Sequence, residues 1–247
     1  MRSVYPVVFL PDFNGWNDRP APYKTLYFLP GYSGGGLETA QFTNFALYAM
    51  KYGIAIVLID GENSFYVDDE TRRAMFSEYA GQEIVEATRA LLPLSAKRED
   101  TYIGGISMGG YGALVNGLRY PQTFGKIAAL SPALGVKNPE DKYSDDMPAP
   151  RGEVTALLGT WEEYQNTYKD CFAAALKAAK TPSAMPGLFA ACGRQDKLCY
   201  ANYIDFRDAV RKAGASVATW ECEGGHDHTF WKKALTPACE FLTSEEG

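Results

Sequence analysis

"TYIGGISMGG", residues 101–110, decides how this chain is to be read. A short apolar run ends in Gly104 and Gly105, a serine follows, and Gly109 and Gly110 open the segment "YGALVNGLRY" with helical spacing. Gly105-Ile106-Ser107-Met108-Gly109 matches G-x-S-x-G, the strained strand-to-helix turn that lifts a serine hydroxyl above a parallel sheet. Glycine flanks the serine at two residues' distance because a side chain there would strike neighbouring backbone. Gly110 and Gly112 then let the start of the helix pack closely on the sheet. A nucleotide-binding loop is the competing reading, but the chain holds neither a strict G-x-G-x-x-G nor a G-K-[ST] ending.

Outward from this turn, nearly continuous apolar runs alternate with longer helical patterns. "TLYFL" (25–29), "IAIVLI" (54–59), "TYIGGI" (101–106), "KIAALS" (126–131), "GLFAAC" (187–192) and "VATWEC" (217–222) read as strands buried on both faces. Helical patterns occupy 38–51, 77–92, 108–119, 161–179, 200–213 and 230–244. The alternation predicts an open, mostly parallel α/β sheet. The N-terminal "MRSVYPVVFLPDFNGWN" reads as a further strand, since it lacks the apolar core and cleavage site of a signal peptide. One stretch breaks the rhythm: 135–186 has no convincing strand and contains the polar, proline-rich "KNPEDKYSDDMPAPRGE". It is too long for an ordinary connection, so 1–247 is expected to be a single domain with 135–186 forming a small cap.

In such a sheet, ligands bind beyond the carboxyl ends of the strands, which is where Ser107 falls. A serine hydroxyl needs a base to become a nucleophile. The chain has two histidines, His226 and His228, both in "GGHDHTFW" directly after the last strand. Gly224 and Gly225 supply a flexible turn that can aim His226 at Ser107, whereas His228 sits near the start of a helix. Sequence order alone does not choose between them. The acid is expected at a strand end between serine and histidine. Asp196, just after "GLFAAC", is best placed; Asp170, Asp205 and Asp208 fall on predicted helices, Glu221 lies inside the last strand, and Glu223 is close to His226. Such an acid holds the imidazole tautomer and stabilises the imidazolium.

Composition bounds the partners. The 247 residues are 46% hydrophobic and 22% charged with a net charge of -6, which suits one globular core and opposes binding to nucleic acid or an anionic membrane. No apolar run approaches the roughly 20 residues of a membrane span. The five cysteines are odd in number and form no C-x-x-C pair, the pattern of reduced thiols in a cytoplasmic protein. Their spacing with His226 and His228 fits no zinc pattern, so no metal is expected.

The segments "LYFLPGYSG" (26–34), "SFYVDD" (64–69), "REDTYIGGISMGGYGALVNGLRYPQTFGKIAALSPAL" (98–134), "ACGRQD" (191–196) and "GGHDHTFW" (224–231) resemble the esterase D / tributyrin esterase group of α/β-hydrolases. That group also includes S-formylglutathione hydrolases, feruloyl and acetyl-xylan esterases and the antigen 85 mycolyltransferases. The resemblance implies an α/β-hydrolase fold with Ser107 as nucleophile, Asp196 as acid and His226 as base. It also implies an oxyanion hole of two backbone N–H groups, Met108 and Tyr32. Where the family has His-Gly, this chain has Pro30-Gly31, and where it has tryptophan two residues after the histidine, this chain has His228.

The expected activity is hydrolysis of short-chain acyl esters through an acyl-enzyme, with a small-molecule ester as partner and no cofactor. The alternatives are a thioesterase of the S-formylglutathione hydrolase kind, a carbohydrate-ester deacylase, or a retired hydrolase that only binds. Tyr66, Trp231 and His228 are the candidate wall of the substrate pocket, with core packing the rival role for Tyr66 and Trp231. A homo-oligomer fits the sequence as well as a monomer does.

Overall fold

The computed structural model describes residues 5–11, 21–134 and 151–245. Its first half runs β1 (Val7–Phe9), β2 (Lys24–Leu29), α1 (Gly36–Phe42), α2 (Phe45–Tyr52), β3 (Ile54–Leu58), the small hairpin β4 (Asp68–Asp69) and β5 (Ala74–Met75), α3 (Phe76–Glu78) and α4 (Ile84–Leu91). The second half runs β6 (Thr101–Ile106), α5 (Met108–Arg119), β7 (Lys126–Leu130), α6 (Arg151–Leu158), α7 (Trp161–Tyr164), α8 (Cys171–Ala178), β8 (Gly187–Gly193), α9 (Tyr200–Lys212), β9 (Ala218–Cys222) and α10 (His228–Thr243).

Seven strands form one sheet in the order β1-β3-β2-β6-β7-β8-β9. Every pairing is parallel except β1 with β3. This is the open, mostly parallel sheet that the strand–helix alternation predicts, and it fits the α/β-hydrolase fold that the family resemblance implies. The continuous apolar character of the strands has a simple cause. On β2, Tyr27 and Leu29 enter one core with Tyr111, Leu114 and Phe206, while Leu26 and Phe28 enter a second core with Phe45, Phe230 and Leu235. Alternate side chains therefore leave opposite faces, and both faces are covered by helices.

Several helices are shorter than their patterns suggest. The run 38–51 is two helices, because Asn44 caps α2 by accepting from the Leu47 N–H at 3.2 Å. The run 161–179 likewise splits where Asp170 caps α8 through the Ala173 N–H at 3.0 Å. Between α3 and α4 the chain takes a π-helical turn over Tyr79–Glu83. There Gly81 lies under the Tyr120 ring, whose Cδ2 would stand 2.2 Å from any added Cβ. Of the expected cap, 135–150 lies outside the described residues, and the described remainder carries α6, α7 and α8. Tyr111 Oη donates to the Lys169 carbonyl at 2.6 Å, and the Asp68 N–H donates to Tyr168 Oη at 2.8 Å, which fasten this segment to the main body. All five cysteines are free. Among the described residues, no helix is long and apolar enough to cross a membrane.

Candidate active site

Ser107 is the residue between β6 and α5, with φ 54° and ψ −116°. That conformation is strained for a residue with a Cβ, and close backbone packing enforces it. A Cβ on Gly109 would fall 1.9 Å from the Leu29 carbonyl oxygen, and one on Gly105 would fall 2.4 Å from that of Gly109. Only glycine fits at either place. The Ser107 N–H donates to the Leu130 carbonyl at 2.9 Å, and its own carbonyl accepts from Tyr111 at 3.0 Å and Ala133 at 3.0 Å. The turn is thereby tied to β7 and α5, and the side chain emerges at the carboxyl edge of the sheet.

Asp196 and His226 reach that same edge from the loops after β8 and β9. His226 Nε2 lies 2.8 Å from Ser107 Oγ, and Nδ1 lies 2.8 Å from Asp196 Oδ2. A carboxylate can only accept, so Nδ1 carries the proton and Nε2 presents its lone pair to the serine hydroxyl. Asp196 is 1% exposed. Burial by itself would raise its pKa. The His226 hydrogen bond and charge, the Cys199 N–H and Ser131 outweigh that and hold the carboxyl below its usual range. Oδ1 accepts from the Leu198 N–H at 3.1 Å and the Cys199 N–H at 2.9 Å, so the carboxylate cannot swing away.

Four of the competing acids are engaged elsewhere. Asp170 caps α8, Asp208 pairs with Arg207, Glu221 accepts from Tyr200, Tyr203 and Arg207, and Glu223 lies against Arg194 and Gln195. His228 lies apart from the serine line: its ring stacks on Phe42 at 4.1 Å, with Trp231 edge-on at 4.9 Å. Trp231 also stands edge-on to His226 at 5.1 Å, so one indole backs both imidazoles. Burial and nearby Lys232 push the His228 pKa below its ordinary value, against the opposing pull of Asp227 and Glu38.

Asp196, Cys199 and His226 offer donor atoms within 4.8 Å of one another. Their chemistry suits hydrogen bonding better than metal binding. Burial pushes the Cys199 thiol well above its ordinary pKa, so it stays protonated, and both carboxylate oxygens already accept bonds.

The other wall is the loop after β2. Gly31 lies beside Ser107, since a Cβ added there would stand 3.5 Å from Ser107 Cβ. Among the described residues, neither the Tyr32 nor the Met108 N–H has a hydrogen-bond acceptor. Tyr32, Phe42, His228 and Trp231 enclose a cleft of about 310 Å³ above Ser107 and His226. Two larger open depressions, of about 790 and 730 Å³, lie along the α5–α8 seam and at the opposite edge of the sheet, away from both histidines.

Tyr66 requires correction as a pocket-wall residue. It is 0% exposed, and its hydroxyl donates to the Pro30 carbonyl at 3.1 Å from beneath the loop. The space it fills is kept by Gly61 and Gly112, where an added Cβ would fall 2.0 and 2.5 Å from its ring. Asn63 from the same segment accepts from the Ser33 N–H at 2.7 Å. No local pattern marks Asn63, or Glu153, which accepts from Tyr32 Oη at 2.7 Å.

Comparison with known proteins places the chain among esterases. An acetyl esterase from Caldicellulosiruptor saccharolyticus is 38% identical over 229 residues, 89% of this chain and 83% of that protein. The fluorophosphonate-binding serine hydrolase FphF of Staphylococcus aureus superposes with a TM-score of 0.82 at 25% identity, covering 97% of this chain and 92% of that one. The S-formylglutathione hydrolase FrmB of the same organism gives 0.83 at 25%, covering 98% and 93%. Residues 5–242 match the model of the family described as "Putative esterase"; the chain belongs to that family and is an ester-hydrolysing enzyme.

Proposed function

We propose that the protein is a serine carboxylesterase that cleaves short-chain acyl esters through an acyl-enzyme. The observation that carries this reading is the unbroken line from Asp196 Oδ2 through His226 to Ser107 Oγ, with 2.8 Å at each junction. His226 Nε2 takes the serine proton as Oγ attacks the ester carbonyl. The negative charge that develops on the carbonyl oxygen is met by the N–H groups of Met108 and Tyr32. The tetrahedral adduct collapses, the C–O bond to the alcohol breaks, and the imidazolium gives its proton to the departing alkoxide. Water then enters, His226 accepts one of its protons, and the acid leaves as Ser107 regains its hydrogen. Asp196 stabilises the imidazolium at both stages.

The preference for short acyl groups rests on the cleft. Its volume of about 310 Å³ is at the small end for ligand sites, and aromatic rings of Phe42, His228 and Trp231 close one side. The acetyl ester activity named for the 38% identical relative points the same way. In this reading 1–247 works as one domain, and 135–186 is a cap beside the cleft, a view supported by the reach of Glu153 to Tyr32. The likeness to an S-formylglutathione hydrolase makes a short thioester the second acyl donor to assay.

The test is turnover of p-nitrophenyl esters from acetate to palmitate, with fluorophosphonate labelling as a second readout. Ser107→Ala should lose both the label and roughly 10⁴–10⁶ in kcat while keeping its fold. A mutant retaining a tenth of wild-type turnover would refute the nucleophile. Equal kcat/KM for acetate and palmitate would refute the short-chain preference.

A further inference from the structure

The two proposed oxyanion donors are held in different ways. Met108 is the first residue of α5, and the elbow itself fixes its N–H. Tyr32 lies in "PGYSGGG" (30–36), after Gly31 and before Ser33, whose φ is 61°. A peptide next to glycine rotates at little cost, so the neighbouring residues do not by themselves set which way the Tyr32 N–H points. Three bonds brace the loop around it: Tyr66 Oη to the Pro30 carbonyl at 3.1 Å, the Ser33 N–H to Asn63 Oδ1 at 2.7 Å, and the Gly34 N–H to the Gly31 carbonyl at 3.1 Å. None of them holds Tyr32 itself.

Its own side chain does. Tyr32 Oη donates to Glu153 Oε2 at 2.7 Å, and the ring lies tilted against Phe65 at 6.2 Å. Burial and the Glu153 carboxylate push the phenol up to about 12, so it remains a donor through the neutral range. Glu153 stands on α6, in the segment whose helix α8 packs beside α5. A charge-assisted bond from that segment thus ends on the loop residue whose N–H is the second oxyanion donor in the proposed mechanism.

We propose that Glu153 is a positioning residue for ester hydrolysis, which through the Tyr32 hydroxyl keeps the Gly31–Tyr32 peptide turned so that the Tyr32 N–H meets the oxyanion. The inference rests on the reading of Ser107 as nucleophile and the Tyr32 N–H as donor. It has a definite kinetic signature. The oxyanion exists only at and beyond the transition state, so a misaligned donor lowers kcat and leaves ground-state binding almost unchanged. Removing an oxyanion donor outright costs about 10²–10³ in kcat, and loosening one costs less, about five- to thirtyfold. Glutamine preserves an acceptor oxygen at the same reach and is expected to restore most of the rate.

The experiment compares wild type, Glu153→Ala, Glu153→Gln, Tyr32→Phe, the Tyr32→Phe/Glu153→Ala double variant and Ser107→Ala on p-nitrophenyl acetate. Inhibition by a small alkyl boronic acid, which forms a tetrahedral adduct on serine, is measured alongside. Glu153→Ala and Tyr32→Phe should each lose about five- to thirtyfold in kcat with KM within about twofold. The double variant should be no slower than either single, Glu153→Gln should recover to within about threefold of wild type, and boronate inhibition should weaken in step with kcat/KM. Wild-type kcat in Glu153→Ala, or single effects that multiply in the double variant, would overturn the inference while a dead Ser107→Ala left the esterase reading intact. An active Ser107→Ala would overturn both.

Discussion

Asp196 and His226 stand on short loops directly beyond β8 and β9, and their geometry follows from where two parallel strands end. Tyr32 stands on a glycine-rich loop braced by side chains from segments remote in sequence: Tyr66, Asn63 and Glu153. The two halves of the site meet at Ser107 but depend on different things. The proposed acid–base half inherits its precision from strand ends of a sheet that helices cover on both faces. The oxyanion half depends on three hydrogen bonds that reach it from other elements. The first half should therefore fail abruptly and locally, and the second should weaken by degrees from changes made at a distance.

The largest expected effect tests the acid–base half. His226→Ala should lower kcat/KM for a short p-nitrophenyl ester by roughly 10⁴–10⁶, because among the described residues no other base reaches Ser107 Oγ. His228→Ala or His228→Trp should keep at least about a tenth of wild-type activity, since that ring stacks on Phe42 and does not touch the serine. Kinetics across pH 5 to 9 for each variant would decide the matter. A dead His228→Ala beside an active His226→Ala would reverse the assignment.

A smaller effect is expected from the brace under the oxyanion loop. Tyr66→Phe leaves the shape of the core intact but strands the Pro30 carbonyl, a loss of about 1–3 kcal/mol for a buried acceptor. A fall in Tm of about 2–10 °C should accompany a few-fold drop in kcat with little change in KM. Undiminished kcat in a clearly destabilised Tyr66→Phe would show that the loop keeps its orientation without this brace, and the contrast between the halves would lose its basis.

The smallest effect concerns stability and acid. His228 has its pKa held below the ordinary value in the fold, so between that lowered value and about 6.5 the unfolded chain binds a proton that the folded protein refuses. Stability from this residue is complete above about pH 6.5 and is lost as pH falls below it. The Tm of His228→Phe should accordingly decline less than that of wild type between pH 7 and 5. Parallel declines would indicate that the Phe42 and Trp231 packing tolerates the charged ring.

The contrast also explains what could be read in advance. Strand ends are visible in sequence as the point where an apolar run meets glycine, so the places of Ser107, Asp196 and the histidine pair could be read from local pattern and chain order, whereas preferring His226 to His228 took the glycine turn and the family resemblance. The caps Asn44 and Asp170 were missed: each has a capping side chain, but helical periodicity on both sides hid the break. Tyr66 was misplaced for a different reason. An aromatic in a loop looks the same whether it faces a cleft or supports one, and its burial depends on Gly61 and Gly112. Glu153 left no trace, because its partner lies far back in the chain and its own surroundings are polar.

The backbone at Ser107 has a further consequence for how such a protein changes over evolutionary time. A left-handed conformation at a residue with a Cβ costs about 1–3 kcal/mol, against a whole-domain stability of only about 5–15. Selection for heat resistance alone would favour glycine there, and only selection for turnover retains the serine. Adaptation to higher temperature must then come from positions outside the elbow, such as exposed Leu47 and Leu91 or the helices of the 151–186 segment. The same separation leaves Phe42, His228 and Trp231 free to vary with the substrate while the turn that carries Ser107, the proposed nucleophile, stays as it is.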